Sequence, residues 1–226
     1  MLENTNMLER RTAADAVFER LHQEIASLEL LPGTKLSEAD VARRFEVSRQ
    51  PVREAFGRLG NLDLLLVRPQ RATVVRGFSM ERVAHVRFIR LAVEIEVVTR
   101  ACQVWNASKA EKLQHNLDQQ RHVIESAPDQ FHSLDSQFHA LLCELGDCPL
   151  AIEAIAECRQ KIDRLCTLSL SRQSEADTLL DDHIALAEAL QSGATARAIE
   201  VTRLHLSRLD STIEEIHKTH AEYFEK

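Results

Sequence analysis

The chain has 226 residues, of which 44% are hydrophobic, and its 28 Lys and Arg against 35 Asp and Glu give a net charge of −7. This length allows one large domain or two smaller ones, and no apolar run is long enough to span a membrane. The first residues lack the apolar core of a signal peptide and the five cysteines form no C-x-x-C pair, so we expect reduced thiols in a cytoplasmic protein.

The net negative charge argues against a nucleic-acid partner, but the charge is unevenly distributed. Residues 1–78 carry 12 basic and 11 acidic side chains, whereas the remainder carries 16 and 24. Between Arg43 and Arg76 there are eight arginines and only three acids. Because salt screens charges beyond about 10 Å, a local basic patch can bind phosphate even on an acidic protein.

The first 77 residues show the pattern of a winged helix-turn-helix. Residues 12–28 have the apolar spacing of a helix, and L-P-G-T-K-L (31–36) is typical of a turn. Ser37 begins a second short helix, and Glu46 and Val47 form a tight turn into a third, as in a helix-turn-helix. Residues 64–68 and 73–76 are predicted strands joined by a turn over 69–72, and this basic hairpin forms the wing.

The third helix, residues 48–59, combines an apolar face with polar donors at its start. Ser48 can cap its N-terminus. Its apolar face is formed by Val52, Ala55, Phe56 and Leu59. Arg49, Gln50 and Arg53 lie off that face, and such side chains can pair with base edges in the major groove. An ordinary amphipathic helix with solvated arginines has the same pattern, but the adjacent wing favours DNA binding.

After Gly77, which we interpret as a hinge, the pattern is wholly helical. We therefore predict a mainly α protein, with a winged helix-turn-helix over residues 1–77 and a bundle of about six helices over 78–226. The predicted helices cover about 79–107, 108–126, 129–146, 149–171, 174–192 and 194–224.

Four residues of this bundle form a candidate metal site. Asp135 and His139 are four residues apart and so share one helix face, while His183 and His205 lie on apolar faces of the last two predicted helices. Inward-facing polar groups on different helices are how bundles build cofactor sites. Three imidazoles and a carboxylate suit a divalent transition metal such as Zn, Ni or Mn. The alternative is that each histidine is an ordinary hydrogen-bonded core residue.

Arg90 interrupts the apolar stripe of the first helix in the bundle. A buried arginine needs a partner, and Glu94, four residues on, could supply one. Equally, its guanidinium could hold the carboxylate of a ligand through two parallel hydrogen bonds.

Taken together, these features resemble the GntR superfamily of bacterial transcription regulators, in the FadR subfamily with an FCD ligand-binding domain. The most specific parts are L-S-E-A-D-V-A-R-R-F-E-V-S-R-Q-P-V-R-E-A-F, then R-P-Q-R-A-T-V-V, and then R-x-x-[LV]-E at Arg90–Glu94. The set Asp135, His139, His183 and His205 completes the match, and a six-helix count is similar to the shorter VanR-like branch.

The resemblance implies a homodimer that binds a pseudo-palindromic DNA operator. It implies DNA contacts by Arg49 and Arg53, a metal held by the acidic residue and three histidines, and a small carboxylate effector near Arg90. Phosphate contacts would come from Arg43, Arg44 and Arg71. We expect a repressor relieved by a small organic acid.

Two other functions are compatible with the sequence. In the first, the metal itself is the signal, and DNA affinity follows free metal without any organic acid. In the second, the protein is a metal-dependent enzyme with an attached DNA-binding module, but no candidate general base or nucleophile accompanies the metal residues. We therefore predict that it is not an enzyme.

Overall fold

The computed structural model describes residues 12–68, 71–168 and 176–225. They form two compact units. The first comprises the chain up to Phe78 together with the segment from Glu222 onward, and the second comprises Ser79–Ala221. The division after Phe78 lies close to the predicted boundary, but the C-terminal segment belongs to the first unit. Among the described helices, none combines the length and apolar character needed to cross a bilayer.

The first unit is a small helical domain with a three-stranded antiparallel sheet in the order β1-β3-β2. Its elements are α1 (Ala13–Ala26), β1 (Lys35–Leu36), α2 (Glu38–Arg44), α3 (Arg49–Asn61), β2 (Leu65–Leu66) and β3 (Thr73–Val75). The strand β1 was not predicted. The turn expected at 31–36 ends in this strand, where Gly33, at φ 86°, donates to the Val75 carbonyl and Lys35 pairs with Val74.

The helix starts of the first unit differ in how they are capped. Thr12 accepts from the Asp15 N–H and Asp15 accepts from the Thr12 N–H, which makes a complete capping box. Ser37 accepts from the backbone of Ala39 and Asp40. Ser48 occupies the N-cap position of α3, but its side chain makes no capping hydrogen bond, so the prediction that it caps the helix through its oxygen is wrong.

The core of the first unit forms where α1 packs on α3. The predicted apolar face of α3 is buried against the inner face of α1, and together they comprise Val17, Leu21, Ile25, Val52, Ala55, Phe56 and Leu59. The N-terminal turn of α3 is left outside this core. Packing on one side of α3 therefore presents Arg49 and Gln50 to solvent.

The C-terminal segment pairs with the end of the first unit. The Phe78 N–H donates to the Tyr223 carbonyl (2.8 Å) and the Glu225 N–H donates to the Phe78 carbonyl (2.7 Å). The rings of Phe78 and Phe224 lie 5.6 Å apart. Gly77 lies where backbones approach closely, because a Cβ at this position would be 2.8 Å from the Tyr223 carbonyl oxygen.

The second unit is a helical bundle. Its helices are α4 (Met80–Gln103), α5 (Ala107–Ser126), α6 (Phe131–Leu145), α7 (Ala151–Cys166), α8 (Ala176–Gln191), α9 (Thr195–Ser207) and α10 (Leu209–Thr219). Single 3₁₀ turns cover Pro128–Gln130 and Ala221–Tyr223. The predicted helix 149–171 ends, and the predicted helix 174–192 begins, outside the described residues. Pro69 and Gln70 of the wing turn also lie outside them.

The described residues contain seven helices in this unit, where about six were predicted, because the last predicted helix is divided at Arg208. The Arg208 N–H bonds to the His205 carbonyl, three residues back, which interrupts the four-residue spacing of an α-helix. Its guanidinium makes two hydrogen bonds to Asp182 on α8, at 3.1 and 3.0 Å. The break accompanies this contact between helices.

Candidate metal centre and nucleic-acid interface

The four predicted metal ligands lie together in the centre of the second unit. Asp135 and His139 come from α6, His183 from α8 and His205 from α9, and all four are buried. One ligand atom from each lies within 4.8 Å of all the others. His139 Nε2 is 3.2 Å from His205 Nε2, and Asp135 Oδ1 is 3.4 Å from His183 Nε2. Helix packing has therefore assembled the set that the sequence only suggested.

Each histidine of the cluster has an oxygen atom on its outer side. His139 Nδ1 lies 2.8 Å from Glu94 Oε2, and His183 Nδ1 lies 2.8 Å from Gln120 Oε1. His205 Nδ1 is 3.6 Å from Asp182 Oδ2. The oxygens at 2.8 Å favour a proton on Nδ1 of His139 and His183, which turns the Nε2 lone pairs of these two rings toward the cluster, whereas 3.6 Å at His205 is too long for a hydrogen bond. The three Nε2 atoms face one another.

Burial keeps two of these imidazoles neutral. It lowers the pKa of His139 to about 3, although Glu94 acts in the opposite direction, and lowers the pKa of His183 to about 4. Burial by itself would raise the pKa of Asp135, but the charge of Arg159 holds it well below its usual range. At neutral pH His139 and His183 are therefore neutral and Asp135 is ionised, the forms in which such residues bind metals.

The residues fit a transition-metal ion. The buried His183 Nε2 has no hydrogen-bond partner within the described part of the chain, which is unusual for a buried polar atom. The Nε2 atoms of His139 and His205 lie 3.2 Å apart, a separation at which both could coordinate one ion between them. Imidazole nitrogens with one carboxylate are ligands that Zn²⁺, Ni²⁺ or Mn²⁺ accepts.

Arg90 contacts both Glu94 and the cluster. Its Nε donates to Glu94 Oε1 (2.6 Å) and its Nη2 lies 3.2 Å from His139 Nε2. The ion pair expected as one alternative therefore exists. Arg90 also lines a cavity, so the second alternative, contact with a ligand, remains compatible with its position.

A cavity of about 290 Å³ opens beside the cluster. Its lining includes Arg90, Asp135, Arg159, His205, Phe131 and Leu179. Asp135 and His205 are the two cluster members that face it. His139 and His183, the other two members, are enclosed by protein.

Arg159 is the principal residue that sequence reasoning missed. It lies on α7, is only 7% exposed and pairs with Asp135 while donating to the Ser136 hydroxyl (3.0 Å). The sequence does contain a signal for this residue: Arg159 interrupts an apolar helix face with Ile155 and Ile162, as Arg90 interrupts the apolar stripe of α4.

The five cysteines are free thiols. Burial raises the pKa of Cys143, four residues after His139, to about 12. This thiol therefore stays protonated and is a poor nucleophile or metal ligand.

The arginines predicted to contact DNA differ in whether an acid already pairs with them. Arg49 is exposed at the start of α3 beside Gln50, and Arg71 is exposed in the wing. Arg53 and Arg43 are also exposed but pair with Glu38 (3.0 Å) and Asp40 (3.1 Å).

Arg44 has a structural contact. Its guanidinium makes a two-pronged contact with Glu24, whose side chain is only 3% exposed and is also bound by Arg20. Arg44 thus helps to neutralise a buried carboxylate at the α1–α2 contact, and about half of its side chain remains exposed.

The chain combines a winged helix, with exposed donors at the start of its third helix, and a helical bundle with a buried Asp/His cluster beside a cavity. This combination defines a two-domain DNA-binding transcription regulator. Two family models match the chain: residues 13–75 match "Bacterial regulatory proteins, gntR family" and residues 85–208 match the FCD domain. The chain belongs to the GntR family of regulators and carries an FCD domain. It is a transcription regulator and not an enzyme.

Similar proteins agree with this assignment. The HTH-type transcriptional repressor RspR of Escherichia coli K12 is 36% identical over 209 residues, 92% of each chain. The gluconate operon transcriptional repressor of Bacillus subtilis is 27% identical over 148 residues, 65% of this chain and 60% of that protein.

Solved structures share the fold. E. coli McbR/YncC has a TM-score of 0.67 at 18% identity, covering 90% of this chain and 98% of that one. A GntR regulator from Rhodococcus sp. RHA1 has a TM-score of 0.65 at 22% identity, covering 89% and 97%.

Proposed function

We propose that the protein is a homodimeric repressor that leaves a pseudo-palindromic operator when a small carboxylate binds at a metal in the second unit. The observation that carries this proposal is the Asp135/His139/His183/His205 cluster at the wall of a cavity that also contains Arg90. Regulation as a repressor is supported by the similarity to RspR and the gluconate operon repressor.

On the DNA side, α3 enters the major groove. Arg49 and Gln50 read base edges, because both side chains are exposed at the N-terminal turn of α3. Arg53 also contacts the bases, and for this its side chain gives up the ion pair with Glu38. Arg43, Arg71 and the exposed part of Arg44 contact phosphates, and Ser48, whose hydroxyl caps nothing, is free to do the same.

On the effector side, the four cluster residues hold a divalent Zn, Ni or Mn ion. The ion supplies a Lewis-acid position for a carboxylate oxygen. Asp135 and His205 keep one side of the site open to the cavity, and Arg90 lies beside it to hold the carboxylate. A closed site would instead favour a pure metal sensor, so the open side favours an organic-acid effector.

Dimerisation is supported by apolar residues on the outer face of α4. Phe88 is 70% exposed and Ile89 is 36% exposed, and they directly precede the buried Arg90, which pairs with Glu94. Large exposed apolar side chains next to each other are typical of an interface. Effector binding at Arg90 would then shift a pre-existing equilibrium between dimer arrangements that fit or do not fit two successive major grooves.

The DNA-binding part is tested by selection from random duplex DNA with the full-length protein at near-physiological salt. Recovery of an inverted repeat by wild type supports a dimeric sequence reader. The repeat should be lost in Arg49→Ala but kept in Arg121→Ala, which replaces an exposed arginine on α5. An unenriched pool would contradict it.

The metal and effector parts are tested on the selected operator. Calorimetry with Zn²⁺, Ni²⁺ and Mn²⁺ measures metal binding in wild type and in a His183→Ala/His205→Ala double variant. Anisotropy of labelled operator is then followed with acetate, lactate, succinate, citrate and gluconate. The matched control is His115→Ala/His122→Ala, two exposed histidines on α5. A carboxylate response equal in all three proteins would contradict the metal route, and a response to metal alone would favour the metal sensor.

A further inference from the structure

The charged side chains around the metal cluster cancel one another. Three ion pairs surround it: Arg90 with Glu94, Arg159 with Asp135, and Arg208 with Asp182. Each pair combines one cation with one anion, and metal-bound imidazoles are neutral. The remaining acidic groups of the cavity wall, Asp129 and Asp163, are more exposed, where water screens their charge.

A divalent ion in this cluster would therefore introduce two positive charges without a matching anion. An unbalanced charge in a buried site is costly, and the charge of the ion dominates the local electrostatics. The acid Asp135 does not supply the balance, because Arg159 already neutralises it. A dianion that enters the cavity would supply two negative charges.

Arg159 marks where the second of these charges would bind. It is 7% exposed, it lines the cavity, and its Nε has no hydrogen-bond partner within the described residues. Its Nη2 holds Oδ2 of Asp135, while Oδ1 of the same carboxylate faces His183 Nε2. Arg159 thus contacts one candidate ligand, Asp135, directly and is separated from His183 Nε2 by the width of that carboxylate.

We propose that the effector is a short dicarboxylate dianion, with one carboxylate at the metal beside Arg90 and the other on the guanidinium of Arg159. This inference rests on the metal-dependent function proposed above and specifies its ligand class. The cavity of about 290 Å³ lies at the small end of ligand pockets, which also favours a short molecule.

The test compares each dianion with a monoanion of nearly the same shape. Full-length protein loaded with Ni²⁺ is titrated by calorimetry with malonate, succinate and glutarate, and with the monoamide of each. We expect at least one dicarboxylate to bind roughly tenfold to a hundredfold more tightly than its monoamide, as a charge-assisted contact predicts. Nickel content is measured in parallel, so that metal loading is known independently.

Substitution of Arg159 separates its role from that of the metal. In Arg159→Gln the site loses one positive charge, so we expect the preference for the dianion to fall to within about threefold. Arg159→Lys keeps the charge and should keep most of the preference, and Arg121→Gln is the exposed control. Circular dichroism and nickel content establish that each variant is folded and loaded.

The outcomes are distinguishable from those of the proposed function. Failure of wild type to bind nickel, zinc or manganese would overturn both proposals. If the protein binds nickel but binds each dicarboxylate and its monoamide with equal affinity, or binds neither, only the dianion proposal would be overturned. An unchanged preference in a folded, nickel-loaded Arg159→Gln would overturn the assignment of Arg159.

Discussion

Glu94 Oε2 lies 2.8 Å from His139 Nδ1, and the other oxygen of the same carboxylate accepts from Arg90. One buried acid therefore orients both a candidate metal ligand and the arginine beside the candidate effector position. Burial would raise the pKa of Glu94, but Arg90 and His139 lower it below its usual range, so the acid is ionised.

The first prediction concerns this carboxylate. In Glu94→Gln, His139 keeps an oxygen acceptor but loses the charge that raises its basicity, so affinity for Zn²⁺ should fall by about 10- to 100-fold. Competition with a chromogenic chelator measures this affinity. Glu96→Gln, an exposed acid on the same helix, is the control. Unchanged zinc affinity in folded Glu94→Gln would mean that Glu94 serves only as the partner of Arg90.

The second prediction concerns pH. The pKa of His139 and of His183 is lowered by burial to about 3 and about 4, below the ordinary value near 6.5, so the unfolded chain binds more protons between these values. The free energy of unfolding of the metal-free protein should therefore fall as pH decreases from about 6.5 to about 4, and should be nearly constant above that range.

Urea unfolding at a series of pH values, in the presence of a chelator, measures this slope. A His139→Gln/His183→Gln variant should show a shallower slope, whereas His115→Gln, which replaces an exposed histidine, should not. Equal slopes in wild type and the double variant would show that these imidazoles are not buried in their neutral forms.

The third prediction concerns DNA contacts. Arg49→Ala should weaken binding to a selected operator by about 1–3 kcal/mol and relax base preference at one position, because it removes a base-edge contact. Arg71→Ala should weaken all sequences alike and reduce the salt slope by about one. Anisotropy titrations across a salt series separate the two. A salt-slope change without loss of base preference in Arg49→Ala would reassign this arginine to the phosphates.

The fourth prediction concerns Glu24, the buried acid of the first unit. Arg20 and Arg44 both bind it, and its replacement in Glu24→Gln removes charge-assisted hydrogen bonds worth about 1.5–3 kcal/mol. The two arginines are about half exposed, so water compensates part of the loss. Thermal unfolding measures the change, with the exposed Glu54→Gln as control. Equal stability in the two variants would show that the buried ion pair contributes nothing net.

The fifth prediction concerns the C-terminal pairing. A Cβ at Gly77 would lie 2.8 Å from the Tyr223 carbonyl oxygen, so Gly77→Ala should cost about 1–3 kcal/mol or displace the segment. Faster hydrogen exchange at the amides of Phe78 and Glu225 reports this displacement. In a chain ended after Ala221 the same substitution should be nearly neutral. If Gly77→Ala lowered the free energy of unfolding equally in the full chain and in the shortened chain, the contact with Tyr223 would not be its cause.

The sequence by itself determined the domain plan and the four candidate ligands. Helical periodicity places Val52, Phe56 and Leu59 on one face whatever they pack against, and the spacing of Asp135 and His139 fixes their shared face. Such patterns can be predicted from sequence, because they depend only on the helical spacing of residues close together in the chain. The strand β1 was not predicted, because a strand of two residues shows no periodicity and its pairing with β3 joins residues distant in sequence.

The tertiary structure alone decided what surrounds those ligands. Glu94, Gln120 and Asp182 are far from one another along the chain, yet each lies against one imidazole of the cluster because five helices, α4, α5, α6, α8 and α9, pack there. Arg159 could be marked from sequence as an arginine on an apolar face, but its pairing with Asp135 depends on how α6 meets α7. The division of the last helix at Arg208 likewise follows a contact with α8. These contacts join residues distant in sequence, so their geometry follows from packing rather than from any local pattern.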